Sequence, residues 1–441
     1  MLFNSYEFIF GLLPVSVIIY FLLLRWRLVI GAKFFLVATS LFFYSWWNIV
    51  YLPIILFSML FNYLVDPYGL YRDMEIVGFN QQKEGVRNKI RYVKAIEIAL
   101  RKPKTVVMGS SRVHDGINPE MKILEALQPV YNYGLDMARI SEIKQYLQHA
   151  IINSEIENVI IGLDFFMFNT YEKVNISFDQ FRVNRKVTYK DVYFEPLFTM
   201  SALKDSFRTI KISNMQSGRR EFLANGYRPG SSVFYGVKNY KKLHKYTNWT
   251  FLSSQKSDTL YYAKMKVGDV EFRQFEDVIQ LCIEHNINLR LYISPAHAAL
   301  DGEGLWKAGL FEDSEDWKRK LSSIAHEYAI PLWDFSGYNA ITTEPVETPM
   351  NYYWDSSHFK ESIGDRVLGQ VFEELSIKDR GINEFGRKVT PENIELHLRN
   401  IRRDRQKYLI ENIEVLNELD IMYEKALEGE QIDASIIEGM F

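Results

Sequence analysis

The 441-residue sequence predicts an α/β fold with a parallel sheet, preceded by a helical transmembrane segment. Three observations carry that expectation. Short apolar runs alternate with helical patterns after residue 104, as in a parallel sheet covered on both faces. Each run is followed by residues capable of chemistry, and open α/β sheets bind ligands outside the carboxyl ends of their strands. The first 64 residues, by contrast, are almost free of charge.

Taken in order, the chain has no Asp, Glu, Lys or Arg from Phe8 to Leu24, nor from Phe34 to Leu64. A spanning helix needs about 20 apolar residues, which divides the segment into Phe8–Leu24, Leu28–Trp47 and Ile49–Leu64, two to three spans. Trp46 and Trp47 suit an interface. A cleaved signal peptide has a basic start and one short apolar core, and this chain has neither. Arg25, Arg27 and Lys33 place the first loop in the cytoplasm by the positive-inside tendency. Three spans then leave the remainder in the cytoplasm, and two leave it outside.

Residues 65–103 read as a polar connector. Its basic stretch, Arg87 to Arg101, suits either lipid headgroups or a solvated helix. Residues 104–380 read as the α/β domain. The strands expected are Thr105–Met108, Val130–Tyr133, Val159–Leu163, Leu289–Ile293 and Pro331–Trp333. The helices are Ser141–Asn153, Val270–His285, Asp313–Tyr328 and Ile363–Leu375. Residues 165–268 form an insertion rich in aromatics and bases (Arg182, Arg185, Lys186, Arg219, Arg220, Lys238, Lys241, Lys242), suited to a cleft for an acidic or carbohydrate polymer or to a packed excursion. Residues 381–441 form a charged helical tail, with a helix start at Thr390-Pro391-Glu392.

Composition narrows the function. A net charge of −3 gives no reason to expect nucleic acid. The single cysteine, Cys282, excludes an intrachain disulfide and a cysteine-based metal site. His114, His149, His244, His285, His326 and His397 lack ligand spacing, so neither metal nor cofactor is expected.

The chemistry centres on Thr105–Pro119, where a strand breaks at Gly109 and turns through Ser110, Ser111 and Arg112. Ester hydrolysis or transfer needs a nucleophile, a base and a group that orients the base. Ser111, His358 and Asp355 fill these roles, with Gly134 and the Ser111 N–H as oxyanion-hole donors. Gly-x-Ser and Asp-x-x-His also occur as plain turns, and Ser110 competes with Ser111. Arg112, Asp164 and His297 are candidate substrate contacts. For Arg112 and Asn118 a cap or salt bridge is the competing reading, and for His297 a satisfied polar position at the sheet edge.

These blocks, Gly109-Ser110-Ser111-Arg112 and Asp355-Ser356-Ser357-His358 with Gly134 between, resemble the SGNH (GDSL-like) hydrolase and acetyltransferase superfamily over about residues 65–380. With VDPYG before the domain and PLWDFSGYN before the last block, the resemblance is to membrane-tethered bacterial members of the exopolysaccharide O-acetylation type. It implies a flavodoxin-like three-layer sandwich, acylation of Ser111, His358 as base then acid, and Asp355 orienting it. The departures are Ser110 and Arg112 in the first block, and Gly162-Leu163-Asp164-Phe165 where Gly-x-Asn-Asp is usual. Residues 1–64 resemble the start of membrane-bound O-acyltransferases of the alginate type, without the many-helix bundle that carries their histidine.

The resemblance implies a membrane-anchored acyltransferase or esterase at the bacterial cytoplasmic membrane, its soluble domain on the outer side. Its expected partners are the membrane, an envelope polysaccharide and a membrane-bound O-acyltransferase that delivers the acyl group. The alternative is a non-catalytic membrane adaptor that binds polysaccharide or such a transferase.

Overall fold

The computed structural model describes residues 5–47, 49–71, 75–171, 183–215, 221–234, 236–254, 265–347, 349–373, 385–430, 438 and 440. Arg182, Arg219, Arg220, Leu375 and the expected boundary at 380/381 lie outside the described residues. The chain divides into two compact units: Met1–Gly85 with Tyr189–Gly218, and Val86–Thr188 with Arg219–Phe441. Part of the expected insertion thus belongs to the N-terminal unit.

In the first unit, Glu7–Arg25 runs as one helix, a π turn at Glu7–Leu12 leading into Leu13–Arg25. Among the described residues it is the one helix long and apolar enough to cross a membrane. Val29–Trp47 and Tyr51–Val65 follow. The apolar helices Val29–Phe43 and Tyr51–Val65 fall short of that length, and Ile49 and Val50 form a turn within what the composition shows as one uncharged run.

The second unit holds a six-stranded sheet: β1 Thr105–Met108, β2 Val130–Asn132, β3 Asn158–Leu163, β4 Asn288–Ile293, β5 Leu332–Asp334 and β6 Arg387–Val389. Their order is β2-β1-β3-β4-β5-β6, with every pairing parallel except β5–β6. The parallel part, 2-1-3-4-5, is one of the two common doubly wound orders. Successive β1 residues face opposite sides. Val106 and Met108 join a core with Val159, Ile161, Leu291 and the helices Ile140–Asn153 and Asp269–Glu284. Val107 joins a second core with Ile160, Tyr292 and the helices Ser111–Gly116 and Glu361–Val371. Strands buried on both faces read as near-continuous apolar runs, which is why the five parallel strands were visible in the sequence despite Arg290 in β4. β6 was not foreseen. It contains Arg387 and Lys388, both exposed, at the sheet edge, where charge is common.

The tail forms two helices, Ile394–Glu411 and Ile413–Glu428, packed on their own unit through Leu398, Ile401 and Tyr408. Arg405 binds Glu303 bidentately at 2.9 and 2.8 Å, and His397 lies 2.9 Å from Asp334.

The helix Ser111–Gly116 is held by close backbone approach. A Cβ on Gly364 would overlap the Gly116 carbonyl, and one on Gly116 would overlap the Phe359 ring. Helix propensity alone favours Ala over Gly by about 1 kcal/mol, whereas overpacking costs about 1–3 kcal/mol. Gly364→Ala is therefore expected to destabilise the protein, with an earlier unfolding midpoint in urea. An unchanged or later midpoint would show that this contact does not constrain the helix.

Candidate active site

β3 and β4 end in register, Leu163 opposite Ile293, and β1 ends two residues earlier, Met108 opposite Ile161, so the three following loops leave from the same edge of the sheet. After β1 the chain bends at Gly109. A Cβ there would strike Val113 and the Gly162 carbonyl, so only glycine lets the strand turn into the helix here. Ser110 caps the helix, its Oγ accepting the Arg112 N–H at 3.2 Å. Ser111 is thereby the first helical residue, 9% exposed.

The facing loop is a tight hairpin. Tyr353 and Phe359 form an antiparallel bridge, and the Trp354 N–H donates to the His358 carbonyl at 2.9 Å. Asp355 Oδ1 accepts the N–H groups of Ser357 and His358 at 2.7 and 2.8 Å, an Asx-type turn that fixes the carboxylate. His358 Nδ1 lies 2.9 Å from Asp355 Oδ2, and His358 Nε2 lies 2.9 Å from Ser111 Oγ. Ser111, His358 and Asp355, 247 and 3 residues apart in pairs, form one continuous hydrogen-bonded chain. An imidazole held this way can take a hydroxyl proton and return it to a leaving group.

Burial disfavours the charged imidazole of His358, but the Asp355 charge and hydrogen bond outweigh it and hold the pKa above its ordinary value. Burial likewise opposes ionisation of Asp355, yet His358 and the two backbone N–H groups bring its pKa down to about 2.

Gly134 follows β2 beside Ser111's helix. Its N–H donates to Asn132 Oδ1 at 3.0 Å, so that donor is occupied. Its missing side chain serves close approach instead, since a Cβ would press on the His114 backbone nitrogen at 2.8 Å.

Arg112, Asp164 and His297 lie in the interior. Arg112 donates to Asp164 Oδ1 at 2.8 Å, to Asp301 at 2.7 and 3.0 Å, and to Ser357 Oγ at 3.2 Å. Asp164 also accepts from Ser110 Oγ at 2.6 Å; burial raises its pKa despite Arg112. His297 Nε2 lies 2.7 Å from the Glu344 carbonyl, and Nδ1 accepts the Ala299 N–H at 3.2 Å. Burial pushes its pKa down to about 4. Its backbone N–H donates to the Ser356 carbonyl at 3.1 Å, tying the β4 loop to the hairpin. Asn118 donates to Glu361 at 3.0 Å, on the surface.

A buried pair, Asp115 with Arg228, went unforeseen. Arg228 donates to both Asp115 oxygens at 2.6 and 2.8 Å, and Asp115 Oδ2 lies 4.0 Å from His358 Nε2. The two residues are 113 apart, and no spacing rule links them. The signal within reach was Asp115 itself, four residues after Ser111 and so on the same helix face. Among the described residues, no group of three or more His, Cys, Asp or Glu is arranged to hold a metal.

No family model and no solved structure matches the chain. A curated protein, the peptidoglycan O-acetyltransferase of Helicobacter pylori (strain ATCC 700392 / 26695), is 46% identical over 66 residues. The matched stretch is 15% of this chain and 12% of that protein's length.

Replacing Asp355 by Asn removes the charge that raises the His358 pKa and leaves burial to dominate. The unfolded reference is about 6.5, and the folded pKa lies above it. The stabilisation carried by the His358–Asp355 pair is thus full below about 6.5 and lost as pH rises through the folded value. In Asp355→Asn the imidazole is expected to titrate below about 6.5, followed by NMR with isotope-labelled histidine. A titration unchanged from wild type would mean that Asp355 does not set the protonation of His358.

Proposed function

We propose that the protein is a membrane-anchored O-acyltransferase that modifies a cell-envelope polysaccharide through an acyl-enzyme on Ser111. The single observation that carries this reading is the Ser111–His358–Asp355 hydrogen-bonded chain. Three features support assignment to the SGNH superfamily: the 2-1-3-4-5 strand order, the serine after the first strand and Asp-x-x-His after the fifth. The O-acetyltransferase name of the partial relative supports acetyl as the group and cell-wall glycan as the acceptor. The apolar helix Glu7–Arg25 supports anchoring in a membrane; a glycan acceptor in the envelope requires the α/β unit on the outer side of the cytoplasmic membrane.

In the first half-reaction, Ser111 Oγ attacks the carbonyl carbon of an acyl donor while His358 Nε2 takes the hydroxyl proton. The tetrahedral intermediate collapses, and the departing donor group receives that proton. In the second half, a sugar hydroxyl gives its proton to His358 and attacks the acyl carbon, and Ser111 Oγ leaves and is reprotonated. Asp355 keeps Nδ1 protonated and stabilises the imidazolium in both halves. The Ser111 N–H, at the first helical position, has no carbonyl four residues back within the helix and serves as an oxyanion donor. Arg112, Asp164 and His297 position the loops that carry these groups. Water as acceptor makes the same site an esterase.

The full-length protein in detergent is expected to release p-nitrophenol from p-nitrophenyl acetate. Ser111→Ala and His358→Ala are each expected to lower the rate by about 10³-fold or more, with no larger loss in the double variant. Equal background rates in wild type and variants would overturn the acyl-enzyme and favour the adaptor reading.

A further inference from the structure

Within the N-terminal unit, the segment from Tyr189 to Met215 buries several polar side chains and exposes large apolar ones among its charges. It comprises a π turn Lys190–Phe194, a short helix Glu195–Phe198 and a helix Met200–Met215. The buried face of the last helix carries Ala202, Asp205, Ser206, Thr209 and Ser213. Its outer face carries Met200, Phe207 and Met215, which are 69, 60 and 73% exposed. A surface helix of a soluble domain turns its apolar stripe inward and its polar face to water.

Three of the inward polar groups, Asp205, Ser206 and Ser213, are partnered within the unit. Asp205 accepts the Tyr68 hydroxyl at 2.8 Å, Ser206 Oγ donates to Asn62 Oδ1 at 2.9 Å, and Ser213 Oγ accepts the Gln82 N–H at 3.1 Å. Asn62, in the apolar helix Tyr51–Val65, completes the joint by donating to the Leu197 carbonyl at 2.9 Å. The outward apolar groups continue the exposed apolar surface of that helix, with the Phe207 ring 5.1 Å from Phe61 and Phe61 stacked on Phe57. Tyr189, Tyr193 and Tyr71 form a stacked row, and Phe194 stacks on Phe198.

Lys204, Arg208 and Lys211 share the outer face with Met200 and Phe207. Sixteen residues at 1.5 Å each span about 24 Å, short of a bilayer core, and three cations on the outer face oppose crossing it. Aromatics with flanking Lys and Arg are instead what lies in the headgroup plane, the apolar groups dipping inward and the charged ends reaching the phosphates.

We propose that Tyr189–Met215 is an interfacial membrane element, lying in the plane of the bilayer with Phe207, Met200 and the tyrosine row in lipid. The proposal rests on the membrane-anchored reading above. It assigns to the middle of the chain a lipid contact continuous with the apolar surface of Tyr51–Val65.

The test uses the full chain, with Cys282→Ser, reconstituted in vesicles of phosphatidylcholine and phosphatidylglycerol. A nitroxide is attached at Met200→Cys or Phe207→Cys. Ile18→Cys, on Glu7–Arg25, and Glu155→Cys, on the surface of the second unit, serve as references. At Met200 and Phe207 the ratio of oxygen to nickel-chelate collisions is expected to exceed that at Glu155 several-fold, in the direction of Ile18. A ratio equal to that at Glu155, with Ile18 in lipid, overturns the interfacial element and leaves the anchor standing. Labels immobilised and shielded from both reagents identify a protein partner on this face and also overturn it. If Ile18 matches Glu155, the anchor reading falls together with the proposal.

Discussion

One buried guanidinium, that of Arg112, holds the carboxyl edge of the sheet together. From the first turn after β1 it reaches Asp164 at the end of β3, Asp301 after β4 and Ser357 in the histidine hairpin. Taking an arginine out of water is tolerable only with close, well-aligned carboxylates, and removing one partner from such a pair commonly costs about 3–5 kcal/mol. The serine and histidine come from loops 247 residues apart. Arg112 sits one residue from the first and contacts the neighbour of the second, so their separation depends on a bond neither of them makes.

The positions at which the sequence differs from the SGNH pattern it resembles share one set of contacts. Ser110 stands where that pattern has Asp, Arg112 where it has Leu, and Asp164 where it has Asn. In this protein the three meet: Ser110 Oγ donates to one Asp164 oxygen at 2.6 Å and Arg112 to the other at 2.8 Å. The carboxylate faces these two donors. Without Arg112, Asp164 would be a buried carboxylate with no cation beside it, so these positions depend on one another.

The parts of the site legible in the sequence were those fixed by local chemistry. β1 shows as an unbroken apolar run, Gly109 as a break, and Asp355 as a residue three places before a histidine, able to cap its own turn. The parts that were not legible depend on distant pairing. Arg228 meets Asp115 across 113 residues, and Lys94 enters the interior to donate to the carbonyls of Asn132, Gly134 and Gly226 at 2.8–2.9 Å. Burial pushes the Lys94 pKa down to about 7, yet nothing in its helix marks it apart from neighbouring basic residues. Gly134 was legible as a position and not as a role, because the occupant of its N–H, Asn132 Oδ1, depends on a rotamer.

The same limit explains the stretch at 189–215. Periodicity identifies two faces of a helix but does not say which one is buried; that follows from the solvent, and the usual assumption is water. The second unit obeys that assumption: Val367 and Leu368 are inside and Glu361 outside. In the helix Met200–Met215 the assumption fails, since Asp205, Ser206 and Ser213 are inside with partners and Phe207 is outside. The deciding residue lies elsewhere, in Asn62, a polar side chain within an uncharged run of the sequence. With its helix otherwise apolar, an amide at that position needs hydrogen bonds, and it finds them in Leu197 and Ser206. One buried amide in an apolar helix thus selects which face of a second helix turns inward.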